Sequence, residues 1–250
     1  MTKFKNILVL AAMVEEERSL AQALSAYPKK EVVLGRGVPA RVAEYFVGSR
    51  EVMVAQSGIG PVNAAVTLAM ILEHRTVDAV FLLGVGGSIV PELAIGDLVV
   101  SKKILQHDYF ASHEFGSPRM RAGDIIFTAD EAKDYVATLE ADEALIQMIA
   151  EAIPAEHLKF GTVVSGNEFV GTLKRKQELR ALHPDAILVE MEAAGVAQVA
   201  SRVGLPFVVV KTVSDRLHAD GTIEADFRAC LDAAAKNAAA VLHQILNHGI

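Results

Sequence analysis

The chain is most informative first in what it lacks. It has one cysteine in 250 residues, Cys230, which excludes an internal disulfide framework and any cysteine-rich zinc site. Set in an Ala-rich helical pattern, that thiol reads as an inert core side chain. Positive charge is also short: Lys and Arg total 24 against 31 Asp and Glu, a formal net charge of −7. No bulk basic field therefore exists to hold a nucleic-acid backbone. No apolar run approaches the ~18 residues that span a bilayer. The opening run Ile7 to Met13 follows Lys3 and Lys5, but it meets Glu15-Glu16-Glu17 rather than a cleavage site, so it reads as a strand and not as a signal peptide. These absences predict a cytoplasmic protein without a membrane or nucleic-acid partner. Linkers, internal repeats and low-complexity tracts are missing too, and residues 1–250 are expected to form one domain.

What is present is apolar and periodic, with 52% hydrophobic residues, enough to bury a sizeable core. Short β-branched runs begin at Asn6, Glu31, Ala43, Glu51, Asp78, Asp97, Gly161, Ile187 and Phe207. Several are continuously apolar over four to seven residues, the pattern of strands covered on both faces. Helical patterns span Glu15 to Ala26, Pro61 to His74, Ala141 to Ala152, Lys174 to Leu182, Glu192 to Val203 and Ala225 to Asn247. The alternation predicts a three-layer α/β/α sandwich around a central mixed, largely parallel sheet. From Lys102 to Lys133 the rhythm fails, and that irregular stretch is a candidate lid or subunit contact.

In open α/β sheets ligands bind beyond the carboxyl ends of the strands, so the residues following each run carry the chemistry. Met13 and the Glu15-Glu16-Glu17 triplet follow the first; a helix N-terminus, where carboxylates complement the macrodipole, explains them equally well. Ser57-Gly58-Ile59-Gly60 and Gly84-Val85-Gly86-Gly87-Ser88 follow two others. Neither is a dinucleotide fingerprint or a Walker motif, and a tight strand-to-helix turn accounts for the first as simply as a ligand cradle does. Glu190-Met191-Glu192 sits where a buried strand becomes a helix, and Ser214-Asp215 closes the last strand region. An acidic side chain there suits general-acid work, because desolvation raises a carboxyl pKa, although Asp215 could equally cap a turn. Glu16, Glu192 and Asp215 should therefore converge at one sheet edge. Carboxylates without metal-ligand spacing suggest metal-free acid–base chemistry on a neutral, polyol-like substrate. His107, His113 and Asp108 form no further ligand cluster, so no metal is expected. His243 and His248 read as surface or capping residues.

Several segments, taken in order, resemble the purine nucleoside phosphorylase and nucleosidase superfamily, and within it the bacterial 5′-methylthioadenosine/S-adenosylhomocysteine nucleosidases. They are Ala12-Met13-x-Glu15-Glu16, Ser57-Gly58-Ile59-Gly60, Gly96-Asp97, Ser165-Gly166-x-x-Phe169, Val189-Glu190-Met191-Glu192-Ala193 and the stretch from Pro206 to Ser214-Asp215. The likeness covers nearly the whole chain. It implies hydrolysis of the N-glycosidic bond of an adenine nucleoside bearing a 5′-thioether, without a cofactor. In that scheme Glu16 activates water, with Glu15 as its replacement if the register slips by one. Asp215 protonates purine N7, and Glu192 binds the ribose hydroxyls above Met191. Phe169 stacks on adenine, the Val170 backbone reads its edge, and Met13, Ile59, Gly87, Glu190 and Ser214 complete the pocket. A homodimer is implied as well, the partner closing the 5′ end.

Three positions depart from the family pattern. Val85 stands where a hydroxyl is expected near the water and ribose, and Asn167 where an aspartate is usual. Lys211 replaces the usual arginine and is expected to bias the proton on Asp215, though not through a bidentate fork. A phosphorylase would need arginines to hold phosphate, and Arg36 and Arg41 are the candidates, each also readable as a solvated loop residue. A nucleosidase for another 5′-modified purine nucleoside, such as futalosine, differs in the 5′ pocket. There Phe110, Phe115 and Met120 would form an apolar wall, or simply pack beneath a loop. A binding module without activity would have no need to keep Glu16, Glu192 and Asp215 together.

Overall fold

The structure, a computed structural model, describes residues 4–37, 39–109, 139–217, 222–224, 237–243 and 246. Phe110, His113, Phe115, Met120, Cys230, His248 and most of the irregular stretch lie outside the described residues, as does most of the last helical pattern.

Strand β1 (Asn6–Ala11) shows why its run is apolar throughout. Ile7, Val9 and Ala11 pack on one side against Leu20 and Leu24 of the α1 region (α1, Val14–Ala23) and Leu145 and Ile149 of α3 (Glu143–Ala152). Leu8 and Leu10 pack on the other against Ala64 and Leu68 of α2 (Pro61–Leu72) and Ala197 and Ala200 of α5 (Ala193–Arg202). Helices thus cover both faces, as expected. Each fully buried aliphatic side chain contributes about 1.5–3 kcal/mol. The helix over 237–243 joins the α1 and α3 side through Ala238, Val241 and Leu242.

The remaining strands are β2 (Lys29–Leu34), β3 (Ala40–Val47), β4 (Arg50–Gln56), β5 (Ala79–Ser88), β6 (Leu98–Gln106), β7 (Leu158–Ser165), β8 (Ala186–Glu190), β9 (Phe207–Leu217) and β10 (Ile223–Glu224). Helix α4 (Leu173–Leu182) lies between β7 and β8 in sequence. Two parallel blocks make up the sheet, β4-β1-β5-β9 and β6-β7-β8. Antiparallel seams β9–β6 and β8–β5 join them, so β5, β9, β6, β7 and β8 close into a ring. β3, antiparallel to β4, and β2, antiparallel to β3, extend the other edge.

Three strands run longer than their apolar runs suggest. β5 continues through the glycine segment to Ser88, with an irregularity between Gly86 and Gly87, so those glycines lie in a strand and not in a loop after one. β6 reaches Gln106, and β9 passes from Val210 through Lys211, Ser214 and Asp215 to Leu217. The physical reason is ring closure: the ladder to β6 reaches Thr212 and the ladder to β5 reaches Asp215, holding β9 extended even where its side chains become polar. Asp215 accordingly stands beside Gly87 in mid-strand.

Candidate active site

An open cleft of about 620 Å³ lies at the rim of the ring. It draws on six parts of the chain. The end of β1 supplies Met13 and, from the first turn of α1, Glu16; the turn after β4 supplies Ile59. β5 contributes Val85, Gly86 and Gly87, and the segment after β7 contributes Glu168, Phe169 and Val170. The β8–α5 junction adds Glu190, Met191 and Glu192, and β9 adds Ser214 and Asp215. Glu16, Glu192 and Asp215 are 2%, 5% and 9% exposed, so three carboxylates from distant segments are desolvated around one space. Among the described lining residues none is Lys or Arg.

Glu16 is held entirely by backbone. Its Oε2 accepts the N–H groups of Ala12 and Met13, both at 2.9 Å, and its Oε1 accepts that of Val85 at 3.0 Å. Met13 is the N-cap of α1, so the helix-terminus reading and the pocket reading describe one arrangement. Glu15 faces solvent and does not line the cleft, whereas Glu16 does. Gly84 makes room for this: a Cβ there would lie 2.6 Å from Glu16 Oε1. Val85 lacks a hydroxyl but supplies an N–H, so part of its contribution to the site comes from backbone.

Glu192 is fixed from two sides. Gly60, whose φ of 99° suits glycine, donates its N–H to Oε1 at 3.0 Å, and Lys211 reaches Oε2 at 3.1 Å. The Ser57–Gly60 turn therefore aims a donor at a carboxylate of the protein itself. Desolvation raises the Glu192 pKa above the ordinary carboxylate value, Lys211 opposing and Glu190 adding to the rise. Glu190 is committed elsewhere: its oxygens accept the N–H groups of Glu192 and Ala193 at the start of α5 and meet Lys211 at 3.0 Å. It supports Glu192 from below.

The expectation for Lys211 needs correction. Its ammonium pairs with Glu190 and Glu192, not with Asp215, and it sits beneath the cleft without lining it. Burial lowers the Lys211 pKa, but the charges of Glu190, Glu192 and Glu16 outweigh it and hold the group above its ordinary value. Four positions along an extended strand put about 13 Å between Lys211 and Asp215, farther than the lysine side chain spans. The cation on Asp215 is instead Lys176 of α4, 2.6 Å from Oδ1. Sequence reading missed it inside a charged helix. The signal was there: Lys176 stands three residues from Leu173 and from Leu179, on the stripe that faces the core.

At the mouth, Phe169 is exposed and Val170 buried. Ser214 Oγ donates to the Gly86 carbonyl at 3.2 Å. Asn167 is exposed and its backbone N–H donates to Asp108 Oδ2 at 2.7 Å, so a carboxylate still stands next to that segment. Arg175 clamps Glu168 through 2.8–2.9 Å bonds and lowers its pKa, burial opposing.

With this arrangement in view, comparison with known proteins is decisive. The sequence model of the Phosphorylase superfamily matches residues 6–247. The chain belongs to that superfamily. It is 30% identical, over 96% of its length and 98% of the relative's, to a 5′-methylthioadenosine/S-adenosylhomocysteine nucleosidase of Marinomonas sp. (strain MWYL1). A mutant of the Helicobacter pylori methylthioadenosine nucleosidase with 5′-methylthioadenosine in the active site matches with a TM-score of 0.82. It is 28% identical over 98% of this chain and 99% of that one. A futalosine hydrolase mutant of the same species matches at 0.81 and 28%, over 98% and 99%.

Membership in the Phosphorylase superfamily leaves the choice between phosphate and water as acceptor. Arg36 and Arg41, the phosphate candidates, do not reach the cleft. Arg36 is exposed in the turn after β2, and Arg41 lines a separate surface depression beside Glu17 and Glu31. Among the described residues no helix is long and apolar enough to cross a membrane.

Proposed function

We propose that this cleft hydrolyses the N-glycosidic bond of 5′-methylthioadenosine and S-adenosylhomocysteine, releasing adenine and an S-substituted 5-thioribose. One observation carries the reading: three buried carboxylates from α1, the β8–α5 junction and β9 share a cleft whose lining, among the described residues, has no cation. Such a site favours a positively charged, oxocarbenium-like transition state and offers little to phosphate. Phe169 stacks on the adenine ring and the Val170 backbone reads its edge. Met191 lies under the sugar, and Glu192 accepts hydrogen bonds from the ribose hydroxyls. Met13, Ile59, Gly87 and Ser214 shape the remaining wall.

Asp215 gives its proton to purine N7 as the C1′–N9 bond breaks and the bonding electrons pass to the base, which leaves neutral. A water molecule adds to C1′ and loses a proton to Glu16. The proton held by Glu16 returns through solvent to Asp215, so the sum is nucleoside plus water giving adenine plus thioribose. No cofactor enters this sequence.

The likeness to a futalosine hydrolase gives the second reading, which shares the acid, the base and the sugar contacts and differs in the 5′ substituent and, for futalosine itself, at position 6 of the purine. The protein is further expected to act in the cytoplasm as a homodimer. Val62 and Val66 of α2, with Ile59, leave an exposed apolar strip beside the mouth of the cleft that a second copy would cover. Light scattering on the purified protein tests that assembly.

Incubation with 5′-methylthioadenosine, with and without phosphate, followed by HPLC tests the reaction. Free adenine and free methylthioribose in both conditions support hydrolysis. A sugar 1-phosphate formed only with phosphate would replace it with phosphorolysis. Release from futalosine but not from methylthioadenosine would favour the second reading.

A further inference from the structure

Lys176 has no role in the chemistry described so far, yet its placement is unusual. It is fully buried on a helix whose other charged residues are solvated or half-buried. An ammonium taken out of water is costly unless paired and hydrogen-bonded. The pairing here is with the acid itself: Nζ donates to Asp215 Oδ1 at 2.6 Å and to the Ser88 carbonyl at 2.8 Å. The Ser88 N–H donates to the same Oδ1 at 3.0 Å. Gly87 leaves the space this needs, since a Cβ there would stand 3.3 Å from Nζ and 3.0 Å from both carboxyl oxygens. Two donors thus converge on Oδ1, while neither bonds Oδ2.

We infer that Lys176 is a positioning residue for the general acid, tying up Asp215 Oδ1 so that the transferable proton resides on Oδ2, the oxygen left for substrate. A carboxyl oxygen that already accepts an N–H and an ammonium hydrogen has no room for a proton of its own. The arrangement also acts during the step. Before transfer Lys176 faces a neutral carboxylic acid; after it, a carboxylate. The attraction therefore grows as the proton moves to the purine, and an interaction that strengthens along the reaction lowers the barrier rather than only tightening binding. A salt bridge serving stability alone would not need to end on the acid.

This inference rests on the nucleosidase reading, and the test separates the two. The native protein, Lys176→Met and Lys176→Arg are assayed on 5′-methylthioadenosine and on 4-nitrophenyl 5-methylthio-β-D-ribofuranoside. The nitrophenolate leaves as an anion and needs no proton, so only the nucleoside depends on the acid. For Lys176→Met, kcat on the nucleoside should fall about 100-fold, with the nitrophenyl glycoside changed by less than about threefold, the range expected when acid catalysis alone is impaired. Lys176→Arg, which keeps a cation, should recover part of the nucleoside rate. Equal losses on both substrates would mark Lys176 as merely structural and overturn the inference, and so would an undiminished nucleoside rate. Should the native protein cleave the nitrophenyl glycoside but no nucleoside, Lys176 would have no acid step to serve. If it cleaves neither, the nucleosidase reading falls and the inference falls with it.

Discussion

The two ends of the cleft are built on the same device and use it differently. Each has a lysine buried to 1% exposure or less beneath a carboxylate that faces the substrate space. Lys211 is shared between Glu190 and Glu192, one cation for two anions, so negative charge remains at the sugar end. Lys176 meets Asp215 alone, one for one. The difference teaches that a buried cation is defined by the number of carboxylates it faces. In excess, the carboxylates keep an acceptor for hydroxyls and for a cationic sugar. In balance, the pair suits a group that must be neutral before the step and charged after it.

The largest effect should come from breaking the balanced end. Asp215→Asn keeps an oxygen for Ser88 and Lys176 but has no proton to give, so single-turnover release of adenine should drop about 10³–10⁴-fold. Binding of a non-hydrolysable adenine nucleoside should persist within about tenfold. Residual turnover near the native rate would remove Asp215 from its role.

Next in size is the loss of the shared cation. Lys211→Met strands two buried carboxylates, and urea unfolding should register a loss of about 3–5 kcal/mol. Lys176→Met strands only one, at the edge of the cleft, and should cost less. If the two variants proved equally unstable, the contrast drawn between the ends would be wrong.

A smaller change tests the sugar end by itself. Glu192→Gln exchanges a charged hydrogen-bond acceptor, worth about 1.5–3 kcal/mol, for a neutral one, worth about 0.5–1.5 kcal/mol. The loss should appear mainly as a tenfold or larger rise in KM, at roughly 1.4 kcal/mol per decade. A change confined to kcat would argue against ribose binding.

The subtlest test is the pH dependence of stability. The Glu192 pKa is raised in the folded state, so above the ordinary value of about 4.5 the native chain holds a proton that the unfolded chain has released. Stability from this group is therefore greatest at low pH and declines as pH rises through the window above 4.5. Glu192→Gln should remove that decline, gaining relative to the native protein between acidic and neutral pH. A parallel pair of curves would mean that Lys211 cancels the desolvation.

Most of the layer architecture is legible in the sequence, because runs such as Ile7 to Leu10 and Phe207 to Val210 are apolar on both faces and cannot be half-exposed strands. What the sequence conceals is where those strands end. Gly84 to Ser88 reads as a loop and Lys211 to Asp215 as a strand exit, since hydrophobicity reports burial and not ladder hydrogen bonds. β10, two residues long, has no pattern to detect. In the site, Glu16 and Asp215 are visible as acids after strands, and the family motifs name them. Lys176 is hidden because a lysine in a charged helix is usually solvated, and Lys211 is misplaced because closeness to Asp215 in sequence is a long separation along an extended strand.

One consequence concerns how the chain is made. Among the described residues β9 is the last long strand synthesised, yet it lies between β5 and β6 and hydrogen-bonds both. Until the ribosome has delivered it, the nascent protein holds two unsatisfied strand edges in the middle of its sheet, where templated association is easiest. Such a keystone arrives late and from far along the chain, a connection that folds slowly. A polypeptide stopped before Phe207 should aggregate rather than wait, and because the keystone is also the strand bearing Asp215, no chain can close its sheet without bringing that carboxylate to the cleft.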